Sequence, residues 1–252
     1  MDYNALKQRW LLEENREFRG WDFSHLDGRL KEEKLPWDYR SIICKYLNKD
    51  KLLLDMGTGG GEFLLSLQHT YTNTSVTEGW KPNLKLCKET LEPLGITVQQ
   101  VFNDNKLPFD DDTFDIVINR HEEYNAKEVK RILKDDGIFI TQQVGGKNNE
   151  KLSKFLITNF ESDVLAFELN KEVSKFKNLD FTILYENEYF PSLKFFDVGA
   201  IVYFAKIIVW EFPNFSVERC FNQLCELENR LKKNGYVESL EHRFIIVAKN
   251  SK

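Results

Sequence analysis

A chain of 252 residues, 42% of them hydrophobic and 30% charged, has the composition of an ordinary globular protein and room for one full α/β domain with a lid or cap. Its net charge of −5 gives the whole chain no electrostatic footprint for DNA or RNA. The four cysteines (Cys44, Cys87, Cys220, Cys225) form no CxxC pair and no cluster with histidine, which argues for free thiols in a reducing compartment and against structural zinc or any other metal site.

The opening stretch MDYNALKQRWLLEENREF is charged and lacks the apolar centre of a signal peptide, so a cytoplasmic location is expected. It predicts a helix over 4–18, followed by a loop, WDFSHLDGRL, and a second helix over 38–48 after Leu35-Pro36-Trp37. The middle of the chain then alternates. Strands are predicted at 51–55, 74–78, 96–102, 114–119 and 137–143, with helices at 60–69, 83–92 and 126–134. Several of these strands are nearly continuous apolar runs, the pattern of a sheet covered on both faces. Regular β-α-β alternation predicts a doubly wound, Rossmann-like parallel sheet.

Beyond residue 150 come a helix, a strand near 180–186, an apolar helix over 195–210 (FFDVGAIVYFAKIIVW), an amphipathic helix over 216–233 and a final strand, HRFIIVAK. The apolar helix contains Asp197 and Lys206 and is shorter than a bilayer span, so it predicts a buried helix and no membrane segment. With no internal repeat or low-complexity linker, the chain reads as a single domain: an N-terminal helical cap (1–50), a cofactor-binding core (51–145) and a substrate-side region (146–252).

The most informative stretch is LLLDMGTGGG, residues 52–61, where an apolar strand ends at Asp55 and turns on glycines. Glycine permits positive φ and close backbone approach by a ligand. The spacing Gly57-x-Gly59-x-Gly61 leaves Glu62 where a dinucleotide fingerprint has its third glycine, which argues against NAD.

LLLDMGTGGGEFL resembles the first motif of class I S-adenosylmethionine-dependent methyltransferases, a hydrophobic strand followed by D-x-G-x-G-x-G. Glu78, 21 residues after Gly57 at the end of the second strand, stands where that family has its ribose-binding acid. LPFDDDTFDIVIN (107–119) is similar to the segment leading into the fourth strand, and KEVKRILKDDGIFI (127–140) to the one before the fifth, with Asp136 where a glycine is usual. The motifs run in the family's order from about residue 50 to 145. The resemblance implies a seven-stranded, mostly parallel sheet with a helical N-terminal extension and a helical insertion after strand five. Within the class the chain is most like the ubiquinone-biosynthesis and ribosomal RNA guanine-N1 type, without the latter's N-terminal four-cysteine zinc module.

Carried over residue by residue, the resemblance implies that Asp55, Gly57, Thr58, Gly59 and Gly61 cradle the methionine part of S-adenosylmethionine. Glu78 accepts from both ribose hydroxyls, for which a carboxylate has the two oxygens needed. Trp80 either stacks on adenine or packs in the core. Asn103 or Asp104 meets the adenine amino group; an Asx turn is the competing role for Asp104. Asn119 and Arg120 leave strand four beside the sulfonium.

Methyl transfer from a sulfonium is an in-line displacement in which alignment and exclusion of water dominate. The run Asn119-Arg120-His121-Glu122-Glu123-Tyr124 is dense in titratable groups where an acceptor would enter. Within it, His121 is the candidate general base, since its ordinary pKa is near neutrality. The competing assignment is surface ion pairing by Arg120 with Glu122 and Glu123, with His121 only packing. Gln142 and Gln143 either line the acceptor pocket or face water. Trp21, Phe23, Trp37 and Tyr39 form a lid or pack at the sheet edge, and Asp197 is a substrate-contact candidate.

The expected function is methylation of a small-molecule acceptor. The alternatives are RNA or protein methylation, which would use a basic groove of Lys127, Lys130, Arg131 and Lys147, or a cofactor-binding module without turnover. The sequence carries no signal for oligomeric state.

Overall fold

The computed structural model describes residues 2–18, 22–161 and 167–251. In chain order the elements are α1 (Tyr3–Glu14), β1 (Leu30–Glu32), α2 (Tyr39–Cys44), β2 (Leu53–Met56), α3 (Glu62–Ser66), β3 (Thr74–Glu78), α4 (Lys81–Thr90), β4 (Thr97–Gln100), β5 (Phe114–Arg120), α5 (Ala126–Ile132), β6 (Leu133–Val144), α6 (Glu150–Leu156), α7 (Leu169–Lys177), β7 (Phe181–Tyr189), β8 (Ser192–Phe195), α8 (Val198–Ile207), α9 (Phe221–Asn234), β9 (Val237–Leu240) and β10 (Arg243–Asn250). The chain divides into two compact units, each discontinuous in sequence. One comprises Pro36–Val144, Glu168–Glu188 and Arg243–Lys252; the other comprises Met1–Leu35, Gly145–Phe167 and Tyr189–His242.

The first unit holds a seven-stranded sheet of order β4-β3-β2-β5-β6-β10-β7. Strands β4, β3, β2, β5 and β6 are parallel, and β10 returns antiparallel to β6. The apolar runs explain this arrangement. All four residues of β2 are buried, as are Ile116 to Asn119 of β5, so both faces of these central strands are covered. From β2 the chain winds outward through β3 and β4, then crosses back to place β5 on the other side of β2. The strand order therefore reverses between β2 and β5, and ligands of open α/β sheets bind outside the carboxyl ends of strands at such a point. The loops that emerge there are 57–61 and 121–125.

Several element boundaries differ from the sequence reading for identifiable reasons. The helix expected over 60–69 shrinks to five residues, Glu62–Ser66, because the glycine turn extends to Gly61. The helix expected to run to residue 134 stops at Ile132; Asp136, with φ of 61°, and Gly137 are absorbed into β6. Asn125 starts α5, its side-chain oxygen accepting from the amides of Lys127 and Glu128.

The second unit is built around α8, whose residues from Val198 to Tyr203 are all buried, with Trp10, Phe195, Phe212 and Leu224 in the same core. The apolar run read as one helix from 195 to 210 is split. Ser192–Phe195 pairs with both β1 and β9 in a three-stranded antiparallel sheet, and Asp197, in extended conformation, caps the helix by accepting from the Ala200 amide at 2.8 Å. Asp197 also receives the Arg29 guanidinium through two hydrogen bonds of 2.8 and 2.7 Å. The residue expected to touch substrate is thus committed to a cap and an ion pair. No helix among the described residues is long and apolar enough to cross a membrane.

Candidate functional site

The strand β2 ends in a turn whose backbone is left-handed at three glycines: φ is 67° at Gly57, 65° at Gly59 and 85° at Gly61. Only glycine takes such angles without strain. At Gly57 space is a second constraint, because a Cβ there would overlap Cγ of Glu122 and stand 2.7 Å from its Cβ. The turn is pinned to the end of β3. The Gly57 and Thr58 amides both donate to the Thr77 carbonyl at 3.1 Å. The Glu78 carboxylate accepts from the Gly59 amide at 2.9 Å through one oxygen and from the Trp80 amide at 2.8 Å through the other. Each oxygen keeps a further lone pair for a donor outside the protein. Asp55 accepts from the Thr58 hydroxyl at 2.7 Å.

A cavity of about 240 Å³ opens over this turn, lined by Gly57, Thr77, Glu78, Gly79, Val101, Phe102, Asp104, Glu122 and Glu123. Of the two residues competing for the end of the third strand, Asp104 lines the cavity. Asn103 closes an Asx turn instead, its oxygen accepting from the Asn105 amide at 2.8 Å. Trp80 is 48% exposed, so it is not a core residue, and it does not border the cavity. Phe102 does border it and is 72% exposed, a ring that the sequence reading leaves out. Its signal is an aromatic residue directly after the strand residues ITVQQV.

Crowded carboxylates shape the electrostatics. Burial pushes the Asp55 carboxyl up to about 7 against the Thr58 hydrogen bond and the Arg120 charge, with Glu78 adding to the rise. For Glu122, removal from water and then the negative charges of Asp104, Glu78 and Glu123 push the pKa up to about 7. Burial, and then Glu123, raise Asp104 as well. A cavity of this kind favours a cation.

On the other side of the switch point, Asn119 is fully buried rather than open to a ligand. Its side-chain oxygen accepts from the Thr141 hydroxyl at 2.9 Å and the Gln143 amide at 2.5 Å. Gln143 also donates to the Glu122 carbonyl at 3.0 Å, so this buried network holds the 121–123 loop in place. Neither glutamine faces water: Gln142 and Gln143 are 7% and 4% exposed. The Gln142 oxygen accepts from the Trp37 indole at 2.8 Å, and its amide nitrogen lies 3.4 Å from Nε2 of His121.

His121 has a left-handed backbone with φ of 59°, and its amide donates to the Gln142 carbonyl at 2.9 Å. Desolvation by the surrounding protein, then the charges of Arg243 and Arg120, push its imidazole down to about 3, so the ring is neutral at physiological pH. Arg120 is exposed and lies over the ring of Phe63 at 4.4 Å. Phe63 in turn stacks on Tyr39 at 5.3 Å, and the Tyr39 hydroxyl donates to the Asn119 carbonyl at 2.9 Å. The competing assignment, surface ion pairs of Arg120 with Glu122 and Glu123, is not seen among the described residues.

Of the aromatic residues expected in a lid, Trp37 and Tyr39 are buried at the end of the sheet instead. Phe23 packs with Phe18 and Phe204 beside the core of the other unit, and Trp21 lies outside the described residues. Among the described residues no group of histidine, cysteine, aspartate and glutamate could hold a metal ion.

Residues 54–141 match the family model described as a methyltransferase domain. No curated protein sequence matches the chain. Among solved structures, a Bacillus halodurans C-125 protein provisionally described as a methyltransferase is 14% identical and covers 85% of this chain and 99% of its own, with a TM-score of 0.56. The YcgJ protein of Bacillus subtilis is 16% identical over 85% of this chain and 98% of its own, with a TM-score of 0.55. The [4+2]-cyclase SpnF is 14% identical over 84% and 79%, with a TM-score of 0.52. At such identities these likenesses show the fold, the Rossmann-like fold of class I methyltransferases, and a fold hosts more than one chemistry. The domain match makes the chain an enzyme of the methyltransferase class with S-adenosylmethionine as its cofactor.

Proposed function

We propose that this enzyme methylates a small molecule bound at the carboxyl ends of β5 and β6, with the adenosine of S-adenosylmethionine in the cavity over Gly57 and Glu78. When bound, the cofactor supplies a methyl group on a sulfonium, activated for in-line displacement. The residues fit such a group. Gly57 lines the cavity with backbone alone, and the Glu78 oxygens retain acceptor capacity for two hydroxyls. Asp104, Glu122 and Glu123 border that space with carboxyl groups. Phe102 and Asp104 serve the adenine in this reading, while Asn119 acts from beneath by fixing the loop that carries His121 and Glu122.

The acid–base roles follow from the local environment. With a pKa pushed down to about 3, neutral His121 is a hydrogen-bonding group that orients the acceptor. Glu122, at about 7, is the better-matched group for receiving a proton near neutrality.

The observation favouring a small acceptor is the fate of the basic residues on α5. Lys127, Lys130 and Arg131 have the spacing to share one helix face. Yet Lys130 donates to the Leu179 carbonyl at 2.6 Å. Arg131 is consumed by Glu128 at 2.7 Å, Asp111 at 2.8 Å and the carbonyls of Phe109 and Leu107. A groove for RNA, as in the ribosomal RNA guanine-N1 type, needs cations turned outward. Free thiols at Cys44, Cys87, Cys220 and Cys225 agree with a reducing, cytoplasmic setting.

Calorimetry with S-adenosylhomocysteine and NAD tests the cofactor site; binding of the first and not the second is expected. Incubation of the enzyme with methyl-labelled cofactor and a fractionated cell extract tests the acceptor. Label is expected in the low-molecular-weight fraction, and label confined to RNA or protein would overturn the small-molecule reading.

A further inference from the structure

The sheet edge beyond the switch point carries hydrogen-bond donors where the cofactor side carries carboxylates, and ladder register puts them on one face. Arg120 of β5 is level with Gln142 of β6, Gln142 faces Ile245 of β10, and Val144 faces Arg243. Side chains directly across a ladder share a face, and residues two apart along a strand do also. Arg120, Gln142 and Arg243 therefore project to the same side. The two arginines are two strand spacings apart and offset by two residues along the strands, about 12 Å between backbones, within joint reach of one small molecule for side chains of their length.

Arg120 differs from the other arginines with described partners. Arg29 is locked to Asp197 and Glu13, Arg131 to Glu128 and Asp111, and Arg230 to Glu226. Arg120 makes no ion pair with a carboxylate among the described residues. Its guanidinium lies instead on Phe63, which Tyr39 backs through a stack anchored by hydrogen bonds to the Asn119 and Ile140 carbonyls. An arginine resting over an aromatic ring keeps its charge and its planar fork while losing freedom of movement, which suits it to an incoming oxyanion. Gln142 adds to the same polarity, since its oxygen is taken by Trp37 and its NH2 group, which lies 3.4 Å from Nε2 of His121, has a second hydrogen to donate.

We infer that the acceptor is an anion: a small molecule bearing a carboxylate or phosphate that Arg120 grips through its guanidinium fork, with Gln142 and Arg243 on the same face. This rests on the methyl-transfer reading above for the word acceptor, but the oxyanion site stands on its own geometry. After desolvation, the charges of Arg243 and Arg120 lower the His121 pKa, in keeping with two guanidiniums near the imidazole.

The test uses benzoate, phenyl phosphate and benzamide as probes on the full-length protein saturated with S-adenosylhomocysteine, read by calorimetry or saturation-transfer NMR. At least one of the two anions is expected to bind and uncharged benzamide is not; which anion binds more tightly separates a carboxylate site from a phosphate site. Arg120→Gln should weaken the anion by about tenfold or more, the scale of a hydrogen bond to a charged group. Arg120→Lys should recover part of the loss, and Arg243→Gln should weaken binding independently should Arg120→Gln fail to fold. Equal binding of benzamide, or unchanged anion affinity in both glutamine variants, overturns the inference. Failure of S-adenosylhomocysteine to bind the wild-type protein, with the anion still bound, would sink the methyl-transfer reading and leave the oxyanion site intact. The reverse pattern would sink only the oxyanion site.

Discussion

Over β3 and β2 the sheet edge presents Glu78 and Asp55, joined by Asp104, Glu122 and Glu123 from the adjoining loops. Over β5, β6 and β10 it presents Arg120, Gln142 and Arg243. Strand parity is the same in both regions, so the contrast lies in residue choice and not in geometry. Burial first, and neighbouring carboxylates after it, raise Asp55 and Glu122 to about 7, while desolvation and then the charges of Arg243 and Arg120 keep His121 neutral. In the proposed reading, a cationic donor and an anionic acceptor meet above the boundary between β2 and β5. One sheet edge can thus sort two ligands by charge, with no help from net charge.

The substitution that should damage the carboxylate side most is Gly57→Ala. A left-handed backbone and a Cβ overlapping Glu122 should together cost S-adenosylhomocysteine affinity on the order of 100-fold, or about 3 kcal/mol, measurable by calorimetry. Next is Glu78→Ala, which removes the clamp on Gly59 and Trp80 as well as the hydroxyl acceptor. A loss of about 1.5–3 kcal/mol in cofactor affinity is expected, and an unchanged dissociation constant would remove Glu78 from the site.

A pH series probes the same contrast without mutation. The Asp55 and Glu122 carboxyls, raised to about 7, are protonated below neutrality and ionised above it. S-adenosylmethionine, which carries the sulfonium charge, should therefore bind about three- to tenfold more tightly at about pH 8 than at about pH 6. S-adenosylhomocysteine, uncharged at sulfur, should change less. The sign reverses for the free protein. Because the folded Asp55 pKa of about 7 exceeds its ordinary 3.8, its contribution to stability is full below the ordinary value and lost as pH rises through 7. Equal pH profiles for the two ligands would show that the carboxylates do not sense the sulfonium.

The mildest change is on the arginine side. His121→Ala should lower turnover by about tenfold, a hydrogen-bond-scale loss, with cofactor affinity almost intact. A drop of about 100-fold or more would restore His121 as the general base.

Much of the carboxylate side is legible in the order of residues, because its signals are local. Asp55, the glycines and Glu78 announce themselves by spacing along strands and turns, and the apolar runs of β2, β5 and β6 reveal a sheet buried on both faces. The arginine side is not legible in the same way. No local pattern shows that Arg120 lies on Phe63, that Arg243 shares its face, or that Asn119 is sealed beneath the loop. The strand Ser192–Phe195 carries no strong signal of its own, because its partners, β1 and β9, are distant in the chain.

The amino-acid order alone therefore dictates the sheet, the glycine turn and the methyltransferase domain, all of which depend on short-range periodicity and backbone freedom. Which charges are spent inside the protein and which remain for a ligand is settled only when the chain folds. In the sequence, Arg131 and Asp197 look as available as Arg120. Arg131 pairs with the nearby Glu128 and with Asp111, 20 residues away, and Asp197 pairs with Arg29, 168 residues away; these contacts neutralise two of the three and leave Arg120 facing outward.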